Sequence, residues 1–301
     1  MIEVSVVIPT KDRSHCIERA IKSVYSQTIK EIEIIIVDDA STDNTPDIIR
    51  EIQKKSNIPI KYLRNDVSVG GAVARNQGAN VSVGRYIAFL DSDDEWLPNH
   101  LSSGIDLIES SKSSGVFGNF YTNINGELRS HNNIAKPEDM NMADYIFSRM
   151  GDSRTSTFIF NLSDFKNILF DEKQKKHQDW DLAIRFDSMY KLTLNNEKTV
   201  IIHYDSSNRM SGSLNHEATD YLIRKHLEKA KPKSFVNFYL YLMSTTLKME
   251  GKTSNFINYQ KKLNLIIKNN NLPVTLKQRI KIYIYKYLTN NMIRCLLYRK
   301  K

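Results

Sequence analysis

Tyr86-Ile87-Ala88-Phe89-Leu90-Asp91-Ser92-Asp93-Asp94-Glu95-Trp96 decides how this chain folds. An apolar run the length of one buried strand ends abruptly in acids. Burying Ile87 to Leu90 fixes the backbone, so the carboxylates emerge at the strand's carboxyl end, where open parallel sheets carry their sites. Unit charges about 4 Å apart repel by about 4 kcal/mol at an effective dielectric of about 20. Such a cluster needs a cation, or one member must take a proton. The Asp-x-Asp spacing lets Asp91 and Asp93 face one hard divalent ion, which favours oxygen ligands and keeps positions open for phosphate. The competing reading is an acidic loop that caps the following helix, with Asp93 or Asp94 near its N-terminus.

Working back towards the N-terminus, Glu3-Val4-Ser5-Val6-Val7-Ile8-Pro9-Thr10 predicts a buried first strand that Pro9 should stop. A helix is expected from about Cys16 to Gln27, with Ile17, Ala20, Ile21 and Val24 at helical spacing. Glu33-Ile34-Ile35-Ile36-Val37-Asp38-Asp39 reads as a second buried strand ending in acids, followed by a helix through about Lys55 for which Asp43 is an N-cap candidate. After a short strand at Ile60 to Leu63, glycines open a helix of small residues, Gly70 to Ala79, with Arg75 in its early turns. Small side chains let that helix approach the sheet or a ligand closely. Repeated β-α units with buried strands predict an α/β fold built on a doubly wound, mostly parallel sheet flanked by helices.

Towards the C-terminus, a helix is expected from Pro98 to about Ser111, then a strand from Gly115 to Ile124 closed by an Asn125-Gly126 hairpin turn. The pattern weakens from about Asn132. The polar loop Asp152-Ser153-Arg154-Thr155-Ser156-Thr157 precedes a predicted strand, Thr157 to Phe160, and either contacts a hydroxylated substrate or only connects. Lys173 to Ile184 reads as a loop entering a helix, and Thr199 to Tyr204 as another strand, followed by a Ser/Asn/Gly-rich stretch. From residue 218 helices take over. Leu276, Ile280, Tyr283, Ile284, Tyr287, Leu288 and Met292 form an apolar stripe with Lys277, Arg279, Lys281, Lys286 and Arg294 around it. The stripe packs onto the body or lies on a membrane surface. The expected division is therefore an α/β domain over 1–217, in two halves at about 1–95 and about 96–217, and a basic helical region over 218–301.

Charge supports that division. The chain of 301 residues carries a net charge of +9, and residues 218–301 hold 18 Lys/Arg against three Asp/Glu, so the basic excess lies entirely in the tail. Charge alone leaves nucleic acid and an anionic membrane surface equally available there, and the partner expected is the membrane surface, not nucleic acid. With 41% hydrophobic and 26% charged residues the chain is a folded one. Cys16 and Cys295 form no ligand pattern and suggest a reducing compartment. Neither a signal peptide nor a membrane span is visible, so a cytoplasmic location is expected.

The strand-end acids Asp38/Asp39 and Asp91/Asp93 fall on one predicted sheet edge, together with Thr10 and Arg13 on the first strand-to-helix turn. A carboxylate there can accept from a pyrimidine imide or from ribose hydroxyls, and Arg75 can face a base carbonyl or a phosphate. Acids for a metal and an arginine for an anion together point to a nucleotide-diphosphate site.

Four ordered motifs carry a resemblance: Ser5-Val6-Val7-Ile8-Pro9-Thr10, Val37-Asp38-Asp39-Ala40-Ser41 with Asp43, Ala74-Arg75-Asn76 with Gly78, and Phe89-Leu90-Asp91-Ser92-Asp93-Asp94 with Trp96. They resemble those of the family-two inverting glycosyltransferases of GT-A fold, and in particular bacterial capsule and O-antigen enzymes. The resemblance covers about residues 3–215. It implies a UDP-sugar donor, with Pro9, Thr10, Arg13 and Ser92 lining its site, Asp39 at the uracil, Arg75 near base and phosphates, and Asp91 near the ribose. Asp93, with Asp91, would hold Mn2+ or Mg2+, and His203 is a further candidate ligand. A fifth motif, Gln178-Asp179-Trp180-Asp181, places Asp179 as catalytic base with Asp181 as runner-up, and departs from the family in having Gln178 where a Glu is frequent. Arg209 and Ser211 lie in the stretch that would close over the diphosphate. The expected reaction gives a β-linkage on a glycan acceptor carried on a polyprenyl diphosphate, at the inner face of the cytoplasmic membrane. The rival readings are a nucleotide-sugar-binding module without catalysis and a nucleotidyltransferase. Pro9-Thr10-Lys11-Asp12-Arg13 lacks the glycine run expected of the latter.

Overall fold

The computed structural model describes residues 2–204 and 214–287. Two compact units divide the chain, Met1–Ala135 with Asp152–Arg209, and Lys136–Gly151 with Met210–Lys301. The first unit is an α/β layer structure in which one sheet supplies the edge that carries the acids.

Its first half alternates as the periodicities require. Strand β1 (Val4–Thr10) is followed by α1 (Ile17–Tyr25), β2 (Ile32–Asp38), α2 (Thr45–Lys55), β3 (Ile60–Arg64), α3 (Gly71–Asn80) and β4 (Tyr86–Phe89). These four strands are parallel, in the order β3-β2-β1-β4. Pro9 does not stop β1, which runs on to pair Pro9 with Val37 and Thr10 with Asp38. The reason is directional. The Val7 carbonyl faces β4, where it accepts Leu90 N–H, and Pro9 two residues on faces the same way, beyond the last β1–β4 pair at Val7–Phe89. The missing N–H therefore breaks no ladder bond.

Beyond β4 the sheet becomes mixed. The chain continues through β5 (Glu95–Trp96), α4 (His100–Ser111), β6 (Gly115–Ile124), β7 (Glu127–His131), α5 (Met142–Phe147), a 3-10 turn at Thr155–Thr157, β8 (Ile159–Asn161), α6 (Leu162–Lys166), α7 (Gln178–Asp187) and β9 (Leu192–His203). The order extends as β4-β8-β6-β9-β5, with β7 hairpinned onto β6 around Asn125-Gly126. Strand β8 is antiparallel to β4 and β6, and β5 is antiparallel to β9, while β6 and β9 run parallel. The strand expected at Thr157 starts two residues later, and the one expected at Thr199 begins at Leu192, its first part mixing buried, half-buried and exposed positions without alternation.

Valine and isoleucine from β1 and β2 pack with one face of α1 and with Tyr86, Trp96, Ile105 and Ile159 in a continuous core. Helix α3 reaches the sheet closely because Gly78 lies against Val7, where a Cβ would overlap the valine methyls. That approach brings Arg75, one turn earlier, to the carboxyl edge.

The second unit is helical. Here α8 (His216–His226) is followed by α9 (Pro232–Met249), against which α5, α10 (Ser254–Asn269) and α11 (Leu276–Tyr287) pack, Phe147 stacking on Phe235 with ring centroids 4.7 Å apart. Asp144 ties the segment to the helices by accepting from Ser234 Oγ at 2.6 Å and Lys231 N–H at 2.7 Å. No helix among the described residues is long and apolar enough to cross a membrane. Leu288, Met292 and Arg294 of the apolar stripe lie outside the described residues.

Candidate active site

Strand β1 ends beside β2, and the loops beyond them are laced together. Asp12 N–H donates to Ser41 Oγ, Arg13 N–H to Thr45 Oγ1, and Ser14 N–H to Asp43 Oδ2. Asp43 also accepts from Thr45 N–H and Oγ1, and despite some burial these bonds hold its carboxyl at about 2. Its cap is one residue removed from the expected one, since Asn44 occupies the N-cap position of α2. Arg13 turns its guanidinium onto the carbonyls of Lys11 and Asp12 in its own turn. Pro9, Thr10 and Ser92 are buried, and Thr10 Oγ1 has no hydrogen-bond partner among the described residues.

Of the two acids ending β2, Asp38 is structural. It accepts from Ser41 N–H and Tyr62 Oη and is fully buried. Asp39 organises the loop before α3, accepting from Asn65 Nδ2 and Val69 N–H on one oxygen and from Ser68 Oγ and Gly70 N–H on the other. Burial opposes its ionisation, but these donors outweigh it and its pKa falls below the usual carboxylate value. All four acceptor positions of Asp39 are thereby engaged.

The acid loop after β4 separates into distinct roles. Asp91 accepts from Arg75 Nη2 through Oδ1, and its side chain remains about one third exposed at 32%. The Asp93 side chain is buried, and its carbonyl accepts from Arg19 Nη2 at 2.7 Å. Asp94 and Glu95 do not cap the next helix, which begins at His100 with Asn99 as N-cap. Asp94 instead accepts from Ser156 Oγ at 2.6 Å, and the same Ser156 oxygen receives Asp91 N–H at 3.1 Å. Trp96 Nε1 donates to the Ser156 carbonyl at 2.7 Å. The 3-10 turn thus holds the acid loop from behind, which its polar sequence did not disclose. Glu95 sits on β5 and faces His203 Nε2 at 3.0 Å, the last residue of β9.

A third element closes the edge. Arg75 donates Nη1 to Gln178 Oε1 at 2.8 Å, at the start of α7, and its guanidinium lies over the Phe170 ring at 5.3 Å. Gln178 keeps the acceptor that a Glu would offer, without its charge. The next residue, Asp179, is partly exposed at its rim while its carboxyl is deep among protein atoms. Burial pushes its pKa up to about 7; nearby Arg154 opposes the rise, Asp152 and Asp91 add to it, and Trp180 N–H donates to it at 2.9 Å. Asp152 itself binds Trp180 Nε1 at 2.6 Å and Arg154 at 2.7 Å, so the two residues that tune Asp179 are held to each other. Asp181 is fully buried and paired with Arg185, whose guanidinium also donates to the Ile168 and Leu169 carbonyls. That side chain faces the interior of α7 packing. Arg209 and Ser211 lie outside the described residues.

No group of three or more His, Cys, Asp or Glu side chains suited to a metal occurs among the described residues. A hard cation of the Mg2+ type takes one or two carboxylates and completes its shell with phosphate oxygens and water. Asp91 fits that use, since only its Oδ1 is bonded to protein among the described residues and its side chain reaches the surface.

A sheet with donors and acids gathered at its carboxyl edge, parallel on one side and mixed on the other, defines a GT-A glycosyltransferase fold. The chain aligns with the crystal structure of Staphylococcus aureus TarS 1–349 in complex with UDP-GlcNAc at a TM-score of 0.72, covering 97% of this chain and 92% of that one at 17% identity. It also aligns with a mannosyltransferase, PcManGT from Pyrobaculum calidifontis, in complex with GDP-Man and Mn2+, at a TM-score of 0.54 and 15% identity over 99% of this chain and 88% of that one. The chain belongs to glycosyl transferase family 2, whose family model matches residues 5–192. Similar proteins include the amylovoran biosynthesis glycosyltransferase AmsB of Erwinia amylovora, 32% identical over 62% of this chain and 65% of that protein. WfaP of Escherichia coli, a UDP-Glc:alpha-D-GlcNAc-diphosphoundecaprenol beta-1,3-glucosyltransferase, is 36% identical over 56% of this chain and 64% of that protein. The chain therefore spans slightly less than two thirds of these two relatives.

The Ser156 hydroxyl tests the site's architecture. Ser156→Ala strips a donor from buried Asp94 and an acceptor from Asp91 N–H, so it should cost about 1–3 kcal/mol, read as a lowered urea midpoint of the full chain. An unchanged midpoint would mean the acid loop does not depend on this bridge.

Proposed function

We propose that the chain transfers a hexosyl group from a UDP-sugar to a hydroxyl of a glycan carried on a polyprenyl diphosphate, with inversion to a β-linkage, in bacterial surface polysaccharide (capsule or O-antigen) synthesis. The observation that carries this reading is the pair of hydrogen bonds from Arg75 to Asp91 and Gln178. They bring the acid loop of β4 to the start of α7, where Asp179 has a pKa of about 7. A general base works best when its pKa lies near the operating pH. The activities of relatives support the donor and acceptor classes. WfaP takes UDP-Glc to a diphosphoundecaprenol-linked sugar. A Campylobacter jejuni relative, 30% identical over 58% of this chain, is a GalNAc(5)-diNAcBac-PP-undecaprenol beta-1,3-glucosyltransferase.

In this reading Asp179 takes the proton of the acceptor hydroxyl as that oxygen attacks the anomeric carbon and the bond to the diphosphate breaks. Attack opposite the leaving group inverts the centre. Asp181 is set aside as base because its carboxylate is fully buried against Arg185. Arg75 and Asp91 face the diphosphate and ribose, Asp91 offering the oxygen that Arg75 leaves. Asp39 and the loop it holds receive the uracil, with the rotatable Ser68 hydroxyl giving way to the imide N–H. Thr10, whose hydroxyl has no hydrogen-bond partner among the described residues, lends it to the same edge. A divalent cation, Mn2+ or Mg2+, held by Asp93 and Asp91, would offset charge on the leaving diphosphate. His203 would serve it only by parting from Glu95.

Attachment to an anionic membrane surface is the role proposed for the C-terminal helices. Helix α11 exposes Leu276, Ile280, Tyr283 and Ile284 at helical spacing, flanked by Lys277, Arg279 and Lys281. Deleting residues 276–301 should abolish co-sedimentation with liposomes containing anionic lipid, and unchanged sedimentation would remove this role.

The transfer is tested by incubating the full chain with a panel of UDP-sugars and Mn2+ and scoring released UDP. One sugar should stand out, and Asp179→Asn should lower kcat about 10²–10⁴-fold with UDP affinity retained. Because the base must be ionised, kcat/KM should rise with pH through about 7 and level off above it. The same raised pKa means that ionising Asp179 costs folding stability progressively as pH climbs from the ordinary carboxyl range through 7. UDP binding without turnover of any donor would favour a binding module instead.

A further inference from the structure

The helical unit contains a cavity of about 600 Å3 that the transfer chemistry does not use. Its lining combines Arg149, after α5, with Tyr241 of α9 and Lys277 and Lys281 of α11. None of the described residues lining it is acidic. Three cations therefore share one concave surface.

Each cation is held there at a cost. Arg149 has a backbone φ of +60°, the left-handed position that ends α5, where glycine is the usual residue. A side chain at such a position costs about 1–2 kcal/mol. Its guanidinium carbon lies over the Tyr241 ring, 4.1 Å from the centre, which holds the group against the cavity wall. Lys277 and Lys281 are one turn apart on one helix, and like charges at that spacing repel by a few tenths of a kcal/mol. Lys277 also stands in the first turn of α11, which holds no acid and where the helix dipole already disfavours a cation. Neither lysine has an ion-pair partner among the described residues. The wall behind them is fixed. Gln278 Nε2 donates to Asn237 Oδ1 at 2.8 Å, and Asn237 Nδ2 donates to the Ser148 carbonyl at 3.1 Å. That chain ties α11, α9 and the end of α5 into one frame.

We propose that this cavity binds a phosphate group, as a mono- or diphosphate ester. A carboxylate needs one cation, whereas a phosphate dianion matches a planar guanidinium fork together with two mobile ammonium groups. Binding relieves the repulsion between the lysines and the misplaced charge at the start of α11. The site is separate from the carboxyl-edge acids, and its existence does not depend on the transfer reaction. A phospholipid headgroup and a free phosphate ester offer the same chemistry, so the source is decided by experiment.

The full chain is titrated with inorganic pyrophosphate by calorimetry at low ionic strength. Lys277→Gln/Lys281→Gln, two exposed positions that folding does not require, should weaken one binding event about tenfold or more. Arg75→Gln should leave that event intact, which separates it from anion binding at the acid loop. Lys261→Gln/Lys268→Gln, an equal charge change on α10, should leave it intact as well. Retention of every event by Lys277→Gln/Lys281→Gln, or equal weakening by the α10 pair, overturns the proposal. A second arm uses phosphatidylglycerol vesicles. Release of bound protein by pyrophosphate in the wild type but not in Lys277→Gln/Lys281→Gln identifies a lipid headgroup. Vesicle binding indifferent to pyrophosphate, with the titration event present, identifies a soluble phosphate ester.

Discussion

Arg75 donates one nitrogen to Asp91 and the other to Gln178, and the rest of the site takes its position from that pair of bonds. The arginine is almost fully buried, at 5% exposure, so its charge must be met by partners. Removing one partner of such a pair typically costs about 3–5 kcal/mol. The guanidinium reaches both partners only because α3 lies close on the sheet, and α3 lies close only because Gly78 presents no side chain to Val7. A packing constraint between helix and strand is thereby converted into the spacing between the acid loop and α7.

The carboxylates of this edge are handled in different ways by their neighbours. Asp38 and Asp94 are spent on structure, each receiving a hydroxyl or amide from a neighbouring loop. Asp39 is held ionised by four donors. Asp179 is pushed the other way, because burial outweighs the help of Arg154 and the Trp180 amide. One sheet edge therefore holds a carboxylate kept ionised by donors and another whose pKa burial raises to about 7, the separation that the proposed split between ligand and base requires. Gln178 contributes to this balance. A glutamate there would add a second negative charge beside Asp179.

Much of the first half was legible because β-α alternation is a local signal. Each buried run, its terminal acids and the small-residue helix with Arg75 could be located from spacing alone, and the structure places all of them at one edge. What was hidden depends on partners distant in the chain. Nothing in Asp152 to Thr157 indicated that Ser156 would hold Asp94 across 62 residues, nor that Gln178 would meet Arg75 across 103. Capping by Asp93 or Asp94 was a reasonable local expectation that β5 overrode by pairing Glu95-Trp96 with β9. The segment Lys136–Gly151 falls where the sequence pattern weakens, yet its apolar residues belong with the helices after residue 210 because Phe147 and Asp144 find their partners there. Periodicity shows which face of an element is apolar. It does not show what covers that face.

The Arg75–Gln178 contact sets the place of Asp179, the proposed base, relative to the acid loop, while donor affinity rests on the loop itself. Gln178→Ala isolates that contact and leaves Asp91, Asp93 and Asp179 in the chain. With the donor identified by UDP release, kcat should fall at least about tenfold, which is a change of about 1.4 kcal/mol in the barrier, while the UDP dissociation constant with Mn2+ stays within about twofold. An unchanged kcat, or a loss of UDP affinity as large as the loss of turnover, would contradict the account.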